Sequence, residues 1–306
     1  MQVNTLNETV TDDFALYHGD CVEVTRGIPD NSIHYSIFSP PFSSLYTYSN
    51  SERDMGNSAS DEEFYTHFCF LVKELFRITM PGRLVSFHCM DVPAMKSRDG
   101  FIGIKDFPAQ IRQLFEDEGF IYHSKVTIWK DPLVEATRTK ALGLLHKQLM
   151  KDSNLSRQGL PDYVFTMRKP GDNQEPITHP EGLTEFYGED EPAGEVYSHQ
   201  VWRRYASPVW MDIRQSNTLQ YRSSREEKDE KHICPLQLDV IARCVELWSN
   251  PGDVIFSPFA GIGSEGYQAI KMGRRFVGVE LKESYYRSAA MNLETAAQEA
   301  FDDMLL

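Results

Sequence analysis

The stretch DVIFSPFAGIGSEGYQAIKMGRRFVGVE, from Asp253 to Glu280, constrains this chain more than any other. DVIFSPF reads as a strand that feeds a glycine-rich turn, AGIGSEG. The turn opens the helix GYQAIKMG, and after Arg274 and Arg275 the strand FVGVE ends in Glu280. Strand, helix and strand in that order form the repeating unit of a parallel sheet. The glycines let the backbone approach a ligand, the following helix presents unpaired N–H groups, and an acid ending the next strand can bind ribose hydroxyls. A glycine turn alone can serve a purely structural end. Combined with the strand-end acid, it points to a nucleoside cofactor.

The same alternation recurs earlier. SIHYSIF is β-rich and runs into Ser39-Pro40-Pro41, where proline must end the ladder. From Asp61, DEEFYTHFCFLVKELFRIT predicts a helix with apolar residues at Phe64, Phe68, Leu71, Leu75 and Ile78 and a Pro-Gly stop. RLVSFHCM reads as a short buried strand, KDFPAQIRQLFEDEGF as a helix, IYHSKVTIWK and YVFTMRKP as strands, and PLQLDVIARCVELWS as an amphipathic helix. The rhythm predicts an α/β fold, doubly wound around a mainly parallel sheet.

The 306 residues, 41% hydrophobic and 25% charged, suit one sizeable α/β core or two modest domains. No apolar run approaches the ~20 residues that cross a bilayer, and the N-terminus lacks the basic and apolar regions of a secretory signal. A cytoplasmic protein with no membrane association is expected. The five cysteines, Cys21, Cys69, Cys89, Cys234 and Cys244, are scattered and form no ligand cluster, so reduced thiols and no metal centre are expected.

Between the two regular regions, residues 171–197 are rich in Glu, Asp, Gly and Pro and read as a loop, insertion or flap. Residues 1–170 and 232–306 are then two halves of one domain, with 171–231 a variable insert. A net charge of −14 opposes polyanion binding at long range, so a nucleic-acid function requires local positive charge. The insert offers it at Arg203, Arg204, Arg214, Arg222 and Arg225, beside the aromatic run VWRRYASPVW.

The C-terminal segment from His232 to Leu293 resembles the S-adenosylmethionine-binding end of the DNA amino-methyltransferases, the N4-cytosine/N6-adenine family. Phe259, Gly261 and Gly263 match the family's FxGxG motif, and Glu280 its ribose-binding acid. LYHGDCVEVTRGIPDNSIHYSIFSPPF resembles the opening GDC segment and the SPPY/DPPY catalytic tetrapeptide, here Ser39, Pro40, Pro41 and Phe42. Catalytic motif first and cofactor motif last is the permuted order of the β-type members. The resemblance implies a Rossmann-like methyltransferase sheet with an inserted target-recognition segment. It places Asp20, Cys21, Ser257, Phe259, Ala260, Gly261, Gly263, Ser264 and Glu280 at the cofactor, with Asp20 toward its adenine. The products would be S-adenosylhomocysteine and a methylated base.

The residues suit that chemistry. A conjugated exocyclic amine is a poor nucleophile inside a duplex, so the base must be extruded into a pocket. Ser39 Oγ and the Pro40 carbonyl can accept the amine's hydrogens, and Phe42 can stack on the base, a contact worth about 1–3 kcal/mol in comparable sites. By the same resemblance, serine at position 39 implies cytosine N4, with adenine N6 as the alternative. Two departures stand out: Ser257 replaces the family's usual acid, and Glu265 follows Ser264. Glu265 could restore the missing charge, although an exposed helix-start acid facing the dipole is the first expectation. Tyr46, Tyr48 and Arg53 suit a loop closing over the base, and a homodimer could complete a DNA clamp. The rival classes are a methyltransferase acting on RNA, protein or a small molecule, and a non-catalytic DNA-binding relative.

Overall fold

Parallel pairing of the two motif-bearing strands sets the architecture. The computed structural model describes residues 5–42, 61–94, 96–184, 195–220 and 235–305. In chain order these form β1 (Asn7–Val10), β2 (Phe14–His18), α1 (Cys21–Arg26), β3 (Ile33–Phe38), α2 (Asp61–Ile78), β4 (Thr79–Met90), β5 (Val92–Ala94), α3 (Lys96–Asp99), β6 (Gly103–Lys105) and α4 (Phe107–Glu118). There follow β7 (Ile121–Ile128), α5 (Pro132–Thr139), α6 (His146–Lys151), β8 (Asp162–Arg168), α7 (Glu195–Tyr205), β9 (Val209–Trp210), α8 (Leu238–Trp248), β10 (Val254–Ser257), α9 (Ser264–Lys271), β11 (Arg275–Glu280) and α10 (Glu283–Leu305).

The main sheet has the order β1-β2-β11-β10-β3-β4-β8-β7-β9, and β5 and β6 form a separate hairpin. β2, β11, β10, β3 and β4 run parallel, while β8 is antiparallel to both β4 and β7. The doubly wound α/β expectation holds. The antiparallel β8 and the N-terminal hairpin β1–β2 are additions that the motif order did not reveal.

Alternating side chains sort into two cores, one on each face, as a period of two dictates. Tyr35, Ile37 and Ile255 join Val240, Ile241, Cys244, Ala269, Ile270, Ala289 and Leu293 of α8, α9 and α10. Phe38, Val85, Phe87 and Phe256 join Phe64, Phe68, Leu71, Leu75, Ile111 and Phe115 of α2 and α4. The apolar positions expected on α2 are all buried. At ~25 cal/mol per Å², burial of such faces is the main favourable contribution to folding.

Strand β4 is longer than the short RLVSFHCM strand expected, because Pro81 and Gly82 lie within it. A register irregularity between Ile33 and Tyr35 on β3 accommodates them, and Gly82 takes φ 74°, which a side chain would resist. The insert is also less separate than its composition predicts. Its β9 pairs with β7 and extends the main sheet, and Trp210 is buried in the first core.

Helix α9 packs tightly at Gly266. A Cβ there would meet Phe276 at 2.4 Å and Leu293 at 2.5 Å, both buried. Gly266→Ala should therefore destabilise the fold by about 1–3 kcal/mol through overpacking, read as a lower urea midpoint with an unchanged slope.

Candidate active site

β10 and β3 are neighbours, with Ile255 opposite Tyr35 and Phe256 opposite Ser36. From β10 the chain winds through α9 to β11 on one side; from β3 it winds through α2 to β4 on the other. Strand ends diverge at such a reversal and leave a crevice. The turns Ser257-Pro258-Phe259 and Ser39-Pro40-Pro41 therefore emerge side by side. Phe38 and Phe259, one from each motif, meet edge to face with centroids 5.8 Å apart, and Phe259 also stacks on Phe68 at 6.3 Å.

The glycine turn is pinned to the sheet by the Ala260 N–H, which donates to the Val279 carbonyl at 2.8 Å. Gly261 has φ 55° and open space where a Cβ would stand. Gly263, at φ 89°, caps α9 and approaches Ala289, and Ser264 is buried in the first turn of that helix. Glu280 accepts the Gly261 N–H on Oε2 and the Lys282 N–H on Oε1, each at 2.8 Å, which fixes the carboxylate at the strand end. The neighbouring end of β2 brings Gly19 and Asp20 alongside, with the Gly19 N–H donating to the Glu280 carbonyl at 3.1 Å. Asp20 Oδ1 caps α1 by accepting from the Val22 and Glu23 N–H groups, both at 2.9 Å. Cys21 is buried behind it, and burial pushes its thiol well above the usual range. Ser257 is fully buried, and its Oγ has no hydrogen-bond partner among the described residues. An open glycine turn, a fixed carboxylate and an unpartnered hydroxyl fit a nucleoside that carries further polar groups.

On the β3 side, Pro40 is buried and Ser39 and Phe42 are partly exposed. Phe42 leans on Phe107 at 5.7 Å. Ser39 Oγ lies 3.1 Å from His88 Nδ1, a partner on β4 that sequence reasoning missed. The faint available signal was a titratable residue near the end of a strand that, after Arg83, is apolar apart from Ser86. His88 Nε2 lies 3.5 Å from Asp162 Oδ2, and Asp162 Oδ1 accepts from Lys130 Nζ at 2.7 Å. Burial would raise the Asp162 carboxyl, but His88 and Lys130 outweigh it and hold that group down at about 2.

The fold has known counterparts. A family model described as DNA methylase, of the N6/N4 methyltransferases, matches residues 33–291. The chain belongs to the N6/N4 DNA methylase family. It is 22% identical over 273 residues to the type II methyltransferase M.BglII of Bacillus subtilis, a match that takes in 88% of this chain but just 66% of that relative. Its fold matches a Thermus thermophilus protein described as a DNA modification methylase and solved with S-adenosyl-L-methionine, with TM-score 0.64, 22% identity and coverage of 92% and 95%. It also matches the PvuII cytosine-N4-specific DNA methyltransferase, with TM-score 0.65, 15% identity and coverage of 99% and 96%.

Within this family framework, the basic residues of the insert divide. Arg203 and Arg204 are exposed on the last turn of α7. Arg214 is bound by Asp239, with Nη2 at 2.6 Å from Oδ1 and Nε at 3.0 Å from Oδ2, so its charge is already engaged within the chain. Arg222 and Arg225 lie outside the described residues, as do Tyr46, Tyr48, Arg53 and Cys234. Part of the aromatic run is packing. Buried Arg243 of α8 sits over the Tyr205 and Trp210 rings at 4.7 and 4.9 Å and holds Asp212 in a bidentate pair at 2.9 and 3.0 Å.

At the opposite end of the sheet, ligand atoms of His34, Glu175 and Asp253 lie within 4.8 Å of one another. His34 Nδ1 accepts the Val254 N–H at 3.2 Å, so Nε2 carries the hydrogen and points it at the two acids. Fully buried Arg83 supplies the cation, 3.1 Å from Asp253. This group ties the loop after β8 to the base of the sheet. Among the described residues no helix is long and apolar enough to cross a membrane.

Glu265 corrects the sequence expectation most directly. It is buried in the first turn of α9 instead of facing solvent. Burial raises its carboxyl to about 8, with Glu280 adding to the shift and its own backbone N–H opposing it. Between an unfolded value near 4.5 and about 8, the folded chain holds one more proton than the unfolded chain, so stability falls as pH rises through that window. Glu265→Gln should match the parent near pH 5 and exceed it at pH 8 by on the order of a few kcal/mol, measured by urea unfolding at both values.

Proposed function

We propose that the chain is an S-adenosylmethionine-dependent DNA methyltransferase that modifies the exocyclic N4 amine of cytosine in double-stranded DNA. The observation that carries this reading is the placement of Ser39-Pro40 at the end of β3, against the glycine turn of β10, with Phe38 and Phe259 in contact. S-adenosylmethionine, when bound, supplies an electrophilic sulfonium methyl group. Glu280 would hold its ribose hydroxyls, with Asp20 and Cys21 on the adenine side. The backbone of Ala260, Gly261 and Gly263 and the Ser264 end of α9 would line its approach. The Ser257 hydroxyl would meet the methionine end without contributing charge.

Ser39 Oγ and the Pro40 carbonyl orient the amine by accepting its two hydrogens, which draws the nitrogen lone pair out of conjugation. The prolines have no N–H to compete, so the turn offers acceptors alone. Phe42 supplies a face for the extruded base. Most of the rate then comes from alignment, because a near-attack geometry removes much of the entropic barrier. A serine at position 39 instead of an aspartate favours cytosine. Adenine N6 is the second reading, because both bases present a similar amidine edge and the family spans both. We assign target recognition to residues 171–231, where exposed Arg203 and Arg204 would meet phosphate. A second copy of the chain would complete the clamp around the duplex.

Labelled methyl transfer to unmethylated genomic DNA, followed by nucleoside mass spectrometry, tests the reading. N4-methylcytosine is expected; N6-methyladenine would move the assignment to the second reading, and no methylated base would overturn both. Ser39→Ala should lower turnover by about 10²-fold or more while cofactor affinity, read by calorimetry, changes little. Glu280→Ala should reverse that pattern, weakening cofactor binding at least about tenfold, as loss of a charge-assisted bond implies.

A further inference from the structure

We propose that the connection between β7 and β8, residues 129–161, docks on the sugar-phosphate backbone of DNA beside the crevice, with Lys140, Lys147 and Lys151 as its phosphate contacts. The inference rests on the DNA methyltransferase reading and adds a surface outside residues 171–231. Three observations carry it: where the connection leaves the sheet, the charge it holds, and the backbone conformation of one lysine.

β7 ends at Ile128, opposite Asp162 at the start of β8, and Asp162 lies opposite Met90 at the end of β4. β4 in turn runs parallel to β3. The connection therefore rises from the same end of the sheet as the proline turn, with β4 and β8 between β3 and β7. Its shape is built by the chain itself. Lys130 Nζ is held by Asp162 at 2.7 Å, and Asp131 caps α5 by accepting the Leu133 N–H at 2.8 Å. The Arg157 N–H donates to the Gly143 carbonyl at 3.0 Å, which closes the connection on itself before buried Leu160.

Between Ala136 and Arg157 stand five basic residues, Arg138, Lys140, Lys147, Lys151 and Arg157, and one acid, Asp152, in a chain of net charge −14. Asp152 Oδ1 is engaged by the Asn154 N–H at 3.0 Å. Lys140, Lys147 and Lys151 are exposed and form no ion pair among the described residues. An acidic protein that gathers unpaired cations at one end of its sheet has a local field opposite to its overall field, as a polyanionic partner requires. Lys147 and Lys151 are one turn apart on α6, about 5–6 Å between Cβ atoms, and share a face. α6 buries none of its residues, and Leu149 and Met150 between the lysines are exposed. Deoxyribose, the apolar unit between phosphates, gives those two side chains a counterpart.

Lys140 ends α5 in the left-handed region at φ 54°, with its N–H donating to the Ala136 carbonyl at 2.9 Å. Glycine takes that position without steric cost. Among the described residues Asn31 is the one other non-glycine residue at positive φ, and asparagine tolerates the region better than lysine does. A side chain is thus kept at Lys140 against the preference of the backbone. A use for its ammonium group accounts for that.

Lys140→Gly separates backbone from charge. The variant should unfold in urea at the parental midpoint or above, because the turn is relieved, and yet bind DNA more weakly. Filter retention of sheared, unmethylated genomic DNA with S-adenosylhomocysteine, from 50 to 250 mM KCl, reads affinity and its salt dependence. Lys140→Gly should lower affinity about fivefold at 150 mM and the logarithmic salt slope by about 0.9. Lys140→Gly with Lys147→Gln and Lys151→Gln should lower them by about 10²-fold and about 2.7. Arg275→Gln, which removes an exposed charge at the far end of the sheet, should leave the slope as it is. Parental affinity and slope in the triple variant would overturn the surface. So would a triple variant that sediments as a monomer where the parent is a dimer and keeps the parental slope, which would give this face to a second copy of the chain. Parental protein that retains DNA but methylates no base would overturn the functional reading alone, and parental protein that retains no DNA would overturn both.

Discussion

The pairing of β10 with β3 in the middle of the sheet is the constraint on which the rest depends. The two strands come from opposite ends of the chain, and each winds away from the other. Their C-terminal ends therefore open a crevice that neither half could form alone. One wall is a glycine turn at a helix N-terminus, and the other is a proline turn that presents acceptors. The Phe38–Phe259 contact holds the two walls at a fixed separation, with Phe68 behind them. Aromatic packing of this kind is stiff, which suits the proposed methyl transfer, a reaction governed by alignment.

Electrostatics reinforce the division between the two ends of the sheet. At the base, Arg83, His34, Asp253 and Glu175 compensate one another and fasten the segment after β8. At the crevice the acids are tied down, neutralised or set behind another side chain. Glu280 is tied to two backbone N–H groups, Glu265 is buried and held neutral over much of the pH range, and Asp162 stands behind His88. On the proposed reading, a chain with net charge −14 meets DNA with such acids shielded. Burying Asp162 and Glu265, the one paired and the other protonated, and tying Glu280 to backbone N–H groups would limit their repulsion of phosphate.

The insert shows how composition and structure diverge. Its arginines and aromatic residues read as a nucleic-acid surface, yet Trp210 and Tyr205 pack around Arg243, while Arg214 is spoken for by Asp239. Arg203 and Arg204 remain at the surface. The same residue types serve packing and recognition, because guanidinium groups stack on rings and pair with carboxylates as readily as they meet phosphate.

The sequence by itself determined the βα periodicity, the glycine turn with its strand-end acid, and the proline stop after β3. These are local patterns, set by backbone conformation and by side-chain alternation over a few residues. It also determined that α2 buries Phe64, Phe68, Leu71, Leu75 and Ile78, since a helical period fixes one face. Tertiary structure alone decided that Ser39 meets His88, that His88 meets Asp162, that β8 runs antiparallel, and that Glu265 is buried instead of exposed. Each depends on which strands become neighbours. Strand order brings together residues remote in the chain, and neither periodicity nor charge along the sequence encodes that distance.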